Sequence, residues 1–472
     1  MVLQAGISVP VWGWADPGET VRVTFKNKTY TAVAGTDGRW ALKLGVYRAG
    51  GPYVMSVGGN DSSLVFHDVL VGDVWLASGQ SNMEFGIQTD SRAAQTIPQA
   101  TDPMIHFFYV PMAKSLEPQT DIGHAVSDSD GRWVVCSPSL LAAKWAWHGF
   151  SAISYYFARQ IRTVTKGPIG LIGSYKGGTP AQAWMSLDAL EADTAFHKHV
   201  LARGKVLGQV DSATAAGGRF DIGFGTPACL FDAMIAPLIP YGIKGVLWYQ
   251  GESNGDRLSD ALDYKKLFPA LIRDWRIQWP EGDFPFLFVQ LPNFRAPAKT
   301  PSEGNWPWVR EAQSKALALP HTGMAVTIDL GDPGNIHPTD KMDVGDRLAL
   351  VARHVVYGEN GVYTGPVYDH MSVEDGGIRL FFGQTGSGLM TRDSAGAVLD
   401  PTRAASDLKG FGIAGPDGRF VWAHAVLDGN TILVSSDQIL NPVAVRYDWT
   451  DNPNGNVYNK EGLPLAPFRT DK

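Results

Sequence analysis

Only two cysteines, Cys136 and Cys229, occur in the 472 residues, which excludes a disulfide scaffold and a zinc site built from cysteine alone. Both are read as small core residues, with a single bridge between them as the alternative. Charge is sparse too: 18% of the chain is Asp, Glu, Lys or Arg, the formal net charge is −7, and the basic residues form no run. Phosphate binding needs clustered Lys and Arg, so no nucleic-acid partner is expected. No stretch of about 18 uninterrupted apolar residues is present, so no membrane span or membrane partner is expected either. There is no His-Glu-x-x-His, no Cys-x-x-Cys and no Gly-x-Gly-x-x-Gly opening a helix after a strand, and the expectation is no metal and no cofactor.

The first residues lack the charged-then-apolar pattern of a signal peptide. Met1-Val2-Leu3-Gln4 fits a cytoplasmic start or the start left when a leader is removed. The expected location is periplasmic or secreted with the leader absent from this sequence, and a cytoplasmic location is the alternative. Oligomeric state is not legible.

What the chain does have is apolar and aromatic mass. With 44% apolar residues it can bury a full catalytic core in two or three domains. Its 15 Trp and 15 Tyr are many for so little charge. Most belong to a core, but rings also lie well against the apolar faces of pyranoses, so an aromatic surplus suits sugar recognition.

Residues 1–66 read as a β-domain: segments 9–14, 20–25, 30–33 and 40–44 alternate or run apolar, punctuated by Asp16-Pro17-Gly18 and Thr36-Asp37-Gly38. Over 67–360 strands alternate with helical segments, which predicts an α/β domain with a mostly parallel sheet covered on both faces. Strands are expected at 74–77, 105–110, 169–174, 245–250, 286–290 and 324–329. Ser151 suits the N-cap of a helix whose Ile153, Tyr156, Phe157, Ala158 and Ile161 share one face. A second helix is expected from about Thr339, with Val344, Leu348, Val351 and Val355 as its stripe. Over 361–472 the β rhythm returns, with strands expected at 362–363, 377–382, 421–426, 431–434 and 444–447.

Four segments at strand ends carry the candidate chemistry. Gly79-Gln80-Ser81-Asn82 follows an apolar run over 69–77 and reads as a nucleophile turn, because a residue at the carboxyl end of a buried parallel strand faces the crevice where open α/β sheets bind ligands. An ordinary turn is the alternative. Gly177-Gly178-Thr179 follows the third strand, and its N–H groups can approach an oxyanion without side-chain interference, although a connecting turn explains it equally well. In Trp248-Tyr249-Gln250-Gly251-Glu252-Ser253-Asn254 a carboxamide can donate to an oxyanion, while Ser253 and Asn254 also suit a helix N-cap. The fourth segment runs from Asp329 to Pro338 and contains His337 among acidic and amide neighbours able to fix its tautomer. Serine is a poor nucleophile until a base accepts its proton, and none of the other ten histidines has a comparable setting.

Gly-Gln-Ser-Asn at 79–82, Gly-Gly-Thr at 177–179, Trp-Tyr-Gln-Gly-Glu-Ser-Asn at 248–254 and Ile-His-Pro at 336–338, in this order, resemble the blocks of the SGNH hydrolases. They are most similar to the branch of sialate O-acetylesterases and related bacterial carbohydrate acetylesterases. The block Trp306-Pro307-Trp308-Val309-Arg310-Glu311-Ala312-Gln313 is similar too. The resemblance covers nearly the whole chain. It implies a flavodoxin-like, doubly wound, mostly parallel sheet flanked by N- and C-terminal β-rich regions. It further implies a carbohydrate O-acetylesterase acting on acetylated oligo- or polysaccharides through an acyl-enzyme.

Carried over block by block, the resemblance makes Ser81 the nucleophile and His337 the general base. The oxyanion would be held by the N–H of Ser81, the N–H of Gly177 or Gly178, and the side-chain amide of Gln250, with Asn254 as the fallback. The departure is the acid: many relatives carry Asp two or three residues before the histidine, where this chain has Asn335 and Gly334. Asp332 orients His337 if the Pro333-Gly334 turn folds back; otherwise Asn335 does so without charge, or the pair works as a dyad.

Two alternatives stand beside this reading. Gly251-Glu252-Ser253-Asn254-Gly255 matches the Gly-x-Ser-x-Gly elbow of α/β-hydrolases, with Asp329 or Asp332 and then His337 downstream. The other is a carbohydrate-binding protein whose hydrolase domain is inactive. Sialic acid, xylan, xyloglucan and pectin all remain open as the acetylated sugar.

Overall fold

The strand Ser63–Gly79 changes character halfway along: its first six residues are mostly exposed, and from Val69 to Gly79 it is buried almost throughout. The sequence has the same break, since His67-Asp68 gives way to an apolar run, as expected of a strand covered on both faces. The chain is described here from a computed structural model, which covers residues 1–60, 62–124, 131–143, 149–301, 304–392 and 408–471. Two compact units make it up, Met1–Trp248 with Ala270–Phe286, and Tyr249–Pro269 with Leu287–Lys472.

In the first unit the leading part of Ser63–Gly79 pairs antiparallel with Gly50–Gly58, which in turn pairs with Thr20–Phe25 and through it with Lys28–Val33. A separate ladder joins Ser8–Trp14 to Arg39–Val46. Alternation along these strands sends Val21, Val23, Phe25, Leu44, Met55 and Val69 into one apolar cluster.

The trailing half of Ser63–Gly79 pairs in parallel with Ile169–Tyr175, from Asp73 opposite Ile169 to Gly79 opposite Tyr175. Ile169–Tyr175 pairs in parallel on its other side with Asp102–Tyr109, and Trp133–Cys136 closes that edge antiparallel. Gly245–Tyr249 is the neighbour of Ser63–Gly79 on the opposite side. This part of the unit is therefore a mixed sheet with a parallel centre. The helix Ala152–Thr165 begins as its sequence predicts: the Ser151 side chain accepts the Ser154 N–H at 3.3 Å, and Ile153, Tyr156, Phe157, Ala158 and Ile161 are all buried. Much of the tryptophan is core. Trp75, Trp184, Trp248 and Trp275 are fully buried; Trp248 and Trp275 meet edge to face at 5.7 Å, and the Trp275 indole donates to the Trp184 carbonyl at 2.8 Å. Cys136 and Cys229 are free and buried, and burial pushes both thiols up to about 12.

The strand Phe286–Val289, which lies in the second unit from Leu287 onward, neighbours Thr322–Ala325; the helix Trp306–Ala316 precedes the latter strand in the chain and Met342–Val355 follows it. Val344, Leu348 and Val351 of the expected stripe are buried and Val355 is half-buried. Two four-stranded sheets follow. One runs Val367–Glu374, Gly377–Gly383, Thr431–Ser435, His424–Asp428, and the other Phe420–Trp422, Phe411–Ala414, Ala444–Tyr447, Phe468–Arg469. Ile378, Leu380, Phe411, Ile413, Val434 and Val445 form their shared core.

Three expected strands take other forms. The one expected at 324–329 is Thr322–Ala325, and 326–329 leave the sheet as turn and irregular chain. Residues 362–363 are not extended pairs; the Tyr363 ring instead stacks on His354 at 3.8 Å. The run 421–426 is divided at Ala423, whose N–H donates to the Phe411 carbonyl, so Phe420–Trp422 serves one sheet and His424–Asp428 the other. A continuous apolar run does not encode which sheet each half joins.

Candidate active site

In the first unit the in-register ends of two parallel strands position the turn that carries Ser81. Because Gly79 lies opposite Tyr175, the chain leaves both strands at one level, and the Lys176 N–H still donates to the Gly79 carbonyl at 3.1 Å. Ser81 then opens the one-turn helix Ser81–Glu84, with the Met83 and Glu84 N–H groups donating to the Gln80 carbonyl. Ser81 retains 9% of its accessible surface, while Asn82 is wholly buried. The end of this helix is pinned: Ala152 N–H donates to the Phe85 carbonyl and Ile87 N–H to the Phe150 carbonyl.

The turn Lys176-Gly177-Gly178 packs directly on this helix. A methyl group placed on Gly177 would sit 3.2 Å from both the Ser81 Cβ and Glu84 Oε2, a tight contact that a side chain could make only if its neighbours shifted by a few tenths of an ångström. The Gly177 N–H donates to Glu84 Oε2 at 2.6 Å. Gly178, with φ +71, takes the left-handed conformation, and nothing lies within 4 Å of its missing side chain. Glu84 is 5% exposed; burial raises its pKa, opposed by the Gly177 hydrogen bond and the nearby Lys176.

In the second unit Gln250 is held from several directions. Its carbonyl accepts from the Tyr264 hydroxyl at 3.1 Å and from Gln313 Nε2 at 3.3 Å, and its own Nε2 donates to Asn254 Oδ1 at 2.8 Å. The two expected oxyanion amides thus act as a pair, one orienting the other. Gln313 also donates to the Val289 carbonyl and accepts the Leu291 N–H, so the block 306–313 serves as support beneath Gln250. Arg310 in the same block is fully buried and donates to the carbonyls of Leu291, Pro292, Thr450 and Asp451.

The loop that carries the histidine is anchored at its start. Asp329 forms a two-pronged ion pair with Arg347, at 2.5 and 2.8 Å, and Asn293 Oδ1 accepts the Gly331 N–H at 2.7 Å. Gly331 packs so closely that a methyl there would overlap the Asn293 carbonyl oxygen. Asp332 uses Oδ1 to accept the N–H groups of Gly334 at 2.7 Å and Asn335 at 3.2 Å, capping its own turn. Asn335 Oδ1 accepts the His337 N–H at 2.9 Å. His337 is half-buried, and its pKa is lowered from 6.5, first by burial and then by the positive charge of Lys341. Lys341 is itself buried, with Nζ 5.8 Å from the centre of the Tyr249 ring.

Ser81, Gly177 and Gly178 therefore share the first unit, and Gln250, Asn254, Asp332 and His337 the second. Ser253 is half-buried in a turn five residues before the helix Leu258–Gln278, whereas Ser81 stands directly between strand and helix. Sequence reasoning missed Glu84, Gln313 and Lys341. Gln313 lay inside a recognised block, but nothing in one sequence indicates where the Glu84 carboxylate points. Among the described residues no group of three His, Cys, Asp or Glu is arranged to hold a metal ion.

Comparison with known proteins agrees with this architecture. Residues 71–353 match the family described as carbohydrate esterase, sialic acid-specific acetylesterase. The mouse sialate O-acetylesterase is 31% identical over 520 residues, covering 99% of this chain and 92% of its own, and the rat enzyme of the same name is 33% identical with the same coverage. A crystal structure of a carbohydrate acetylesterase from Xanthomonas citri superposes with a TM-score of 0.84 at 39% identity, covering 100% of this chain and 97% of that one. With more than half of its length matched by the family and its whole length by these relatives, the chain belongs to the sialic acid-specific acetylesterase family of carbohydrate esterases and is a carboxylic ester hydrolase.

Proposed function

We propose that the protein removes acetyl groups from carbohydrate hydroxyls, with Ser81 as nucleophile and His337 as general base. Ser81 Oγ attacks the ester carbonyl carbon while His337 takes its proton. The tetrahedral intermediate collapses, the bond to the sugar oxygen breaks, and His337 returns the proton to that oxygen. Water then attacks the acetyl-serine with His337 again as base, releasing acetate and restoring the serine. A histidine with a lowered pKa is neutral at pH 7 and ready to accept a proton.

The oxyanion is assigned to the N–H of Ser81, the N–H of Gly178 and the Gln250 side chain. Gly178 is preferred to Gly177 because the Gly177 N–H is already donated to Glu84. The Gln250 amide is oriented by its hydrogen bond to Asn254 Oδ1, which supports it as the side-chain donor. Asp332 and Asn335 act together on His337 through the turn they form, Asp332 by shaping it and Asn335 by holding the His337 backbone. The same reading assigns the sheet to the doubly wound SGNH type and the chain to three parts, 1–66, 67–360 and 361–472.

The observation that supports this most is the packing of the Gly177 turn on Ser81 at the ends of two parallel strands, so close that a methyl group on Gly177 would lie 3.2 Å from the Ser81 Cβ. The test is acetate release from acetylated xylan, xyloglucan, pectin and O-acetyl sialic acids, the last because the curated relatives are named for sialate esters. Release from at least one, lost in Ser81→Ala, is expected; release from none overturns the proposal.

A further inference from the structure

Two adjoining cavities of about 870 and 260 Å3 lie in the first unit, and neither is lined by Ser81, Glu84, Gly177 or Gly178. The larger falls within the range of about 300–1,000 Å3 typical of ligand sites. Five aromatic side chains line both cavities: Trp12, Trp14, Phe108, Trp133 and Tyr241. None is needed for the ester chemistry, and Trp14 is 52% exposed, which is unusual for so large an apolar ring.

The rings are held in fixed orientations. Tyr241 meets Trp12 edge-on at 6.2 Å and Trp133 at 6.1 Å with a 36° tilt, and Phe108 meets Trp133 at 5.5 Å. The Tyr241 hydroxyl donates to the Val2 carbonyl at 2.5 Å, which spends its polar end and leaves the ring as the surface. Trp12 and Trp14 are two residues apart on the strand Ser8–Trp14, so they project from one face about 7 Å apart.

We propose that this groove binds a run of neutral pyranose units in a polymeric glycan, separately from the ester-cleaving residues. Sugar rings present apolar C–H faces that lie on aromatic rings, and two cavities joined at shared rings suit a chain better than a single compact molecule. Charge narrows the class. The linings contain Glu19 and Asp121 against Arg132, His67 and the Met1 amine, so there is no cluster of Lys and Arg of the kind an anionic polymer requires. Glu19 is further committed to its own loop, accepting the Asp16 N–H at 3.1 Å and the Asn60 N–H at 2.5 Å. The inference rests on family membership in the carbohydrate esterases and not on the assignment of Ser81 or His337.

The test is calorimetric titration of the full chain with unacetylated cellohexaose, xylohexaose and mannohexaose, and with an oligogalacturonate as the anionic control. Saturable binding to at least one neutral hexasaccharide is expected, weakened about tenfold or more by Trp14→Ala and by Trp12→Ala, with hydrolysis of 4-nitrophenyl acetate unchanged in both. Trp14 is the primary variant because its exposed ring can be removed without opening a core. Binding to none of the neutral probes overturns the proposal, as does binding that both variants leave intact. A hexasaccharide that competes with ester hydrolysis at its own binding constant would place the contact at the catalytic residues and also overturn it. So would a change in oligomeric state in Trp14→Ala with no effect on glycan, which would make the rings a protein interface. Failure of the esterase assignment would appear separately, as hydrolysis surviving in Ser81→Ala.

Discussion

Glu84 Oε2 accepts the backbone N–H of Gly177 at 2.6 Å across 93 residues of sequence, joining the helix that begins with Ser81 to the glycine turn beside it. A buried carboxylate is costly, and this one is retained where it fixes the position of a turn against the serine.

Glu84→Ala should therefore lower kcat for 4-nitrophenyl acetate by about 10²-fold, the order expected when an oxyanion donor is displaced, with little change in KM. Glu84→Gln keeps an acceptor oxygen and should retain most activity. The stability signs follow from the raised pKa of Glu84. Its ionised form is disfavoured in the fold, a penalty that is present above the folded pKa and disappears as pH falls below the ordinary value. Relative to wild type, Glu84→Gln should gain in Tm as pH rises from 4 to 8; a constant difference in Tm across that range would contradict this.

The lowered pKa of His337 sets the acid limb of the pH profile. A base active in its neutral form keeps working until it is protonated, so kcat/KM should hold below pH 6.5 before declining. Lys341→Met removes the positive charge that opposes protonation and should move this limb to higher pH, provided circular dichroism shows a folded variant. A limb that stays fixed or moves down would remove Lys341 from the electrostatics of the histidine.

Ser81→Ala and Ser253→Ala separate the two serine assignments. The first should reduce acetate release by about 10⁴-fold or more, as for loss of a nucleophile in a hydrolase, and the second should leave a folded, active enzyme. The reverse outcome would assign the chemistry to the Gly-x-Ser-x-Gly turn.

Asp332→Ala removes the acceptor for two N–H groups of the loop that holds His337. Activity should fall roughly tenfold or more through misplacement of the imidazole, within the range seen for supporting hydrogen-bond partners, and Asp332→Asn should recover part of it because an amide oxygen still accepts. Equal losses in the two variants would point instead to the negative charge.

Arg310→Met leaves four carbonyls without their donor in a fully buried setting. The expected cost is about 3–5 kcal/mol, read as a shift in the denaturation midpoint. A midpoint within error of wild type would mean that water replaces the guanidinium.

Local pattern carried much of this protein. The 3.6-residue stripe of Ala152–Thr165, its Ser151 cap and the apolar strands leading to Ser81, Gly177 and Gln250 could be read directly, because side-chain periodicity and capping depend on near neighbours. The blocks containing Ser81 and His337 were legible for a different reason: a serine nucleophile needs a base, and the order of the blocks resembles that of a known family. Glu84 was invisible because its partner lies 93 residues away, and Gln313 because its target is the Gln250 carbonyl, 63 residues distant. The division of 421–426 between two sheets was equally hidden, since alternation specifies a face and not the neighbouring strand. Residue order was thus enough for most of the elements and for naming the candidate reactive groups. Which glycine N–H is already taken, and which tryptophans stay out of the core to line a groove, depended on long-range packing that no local pattern contains.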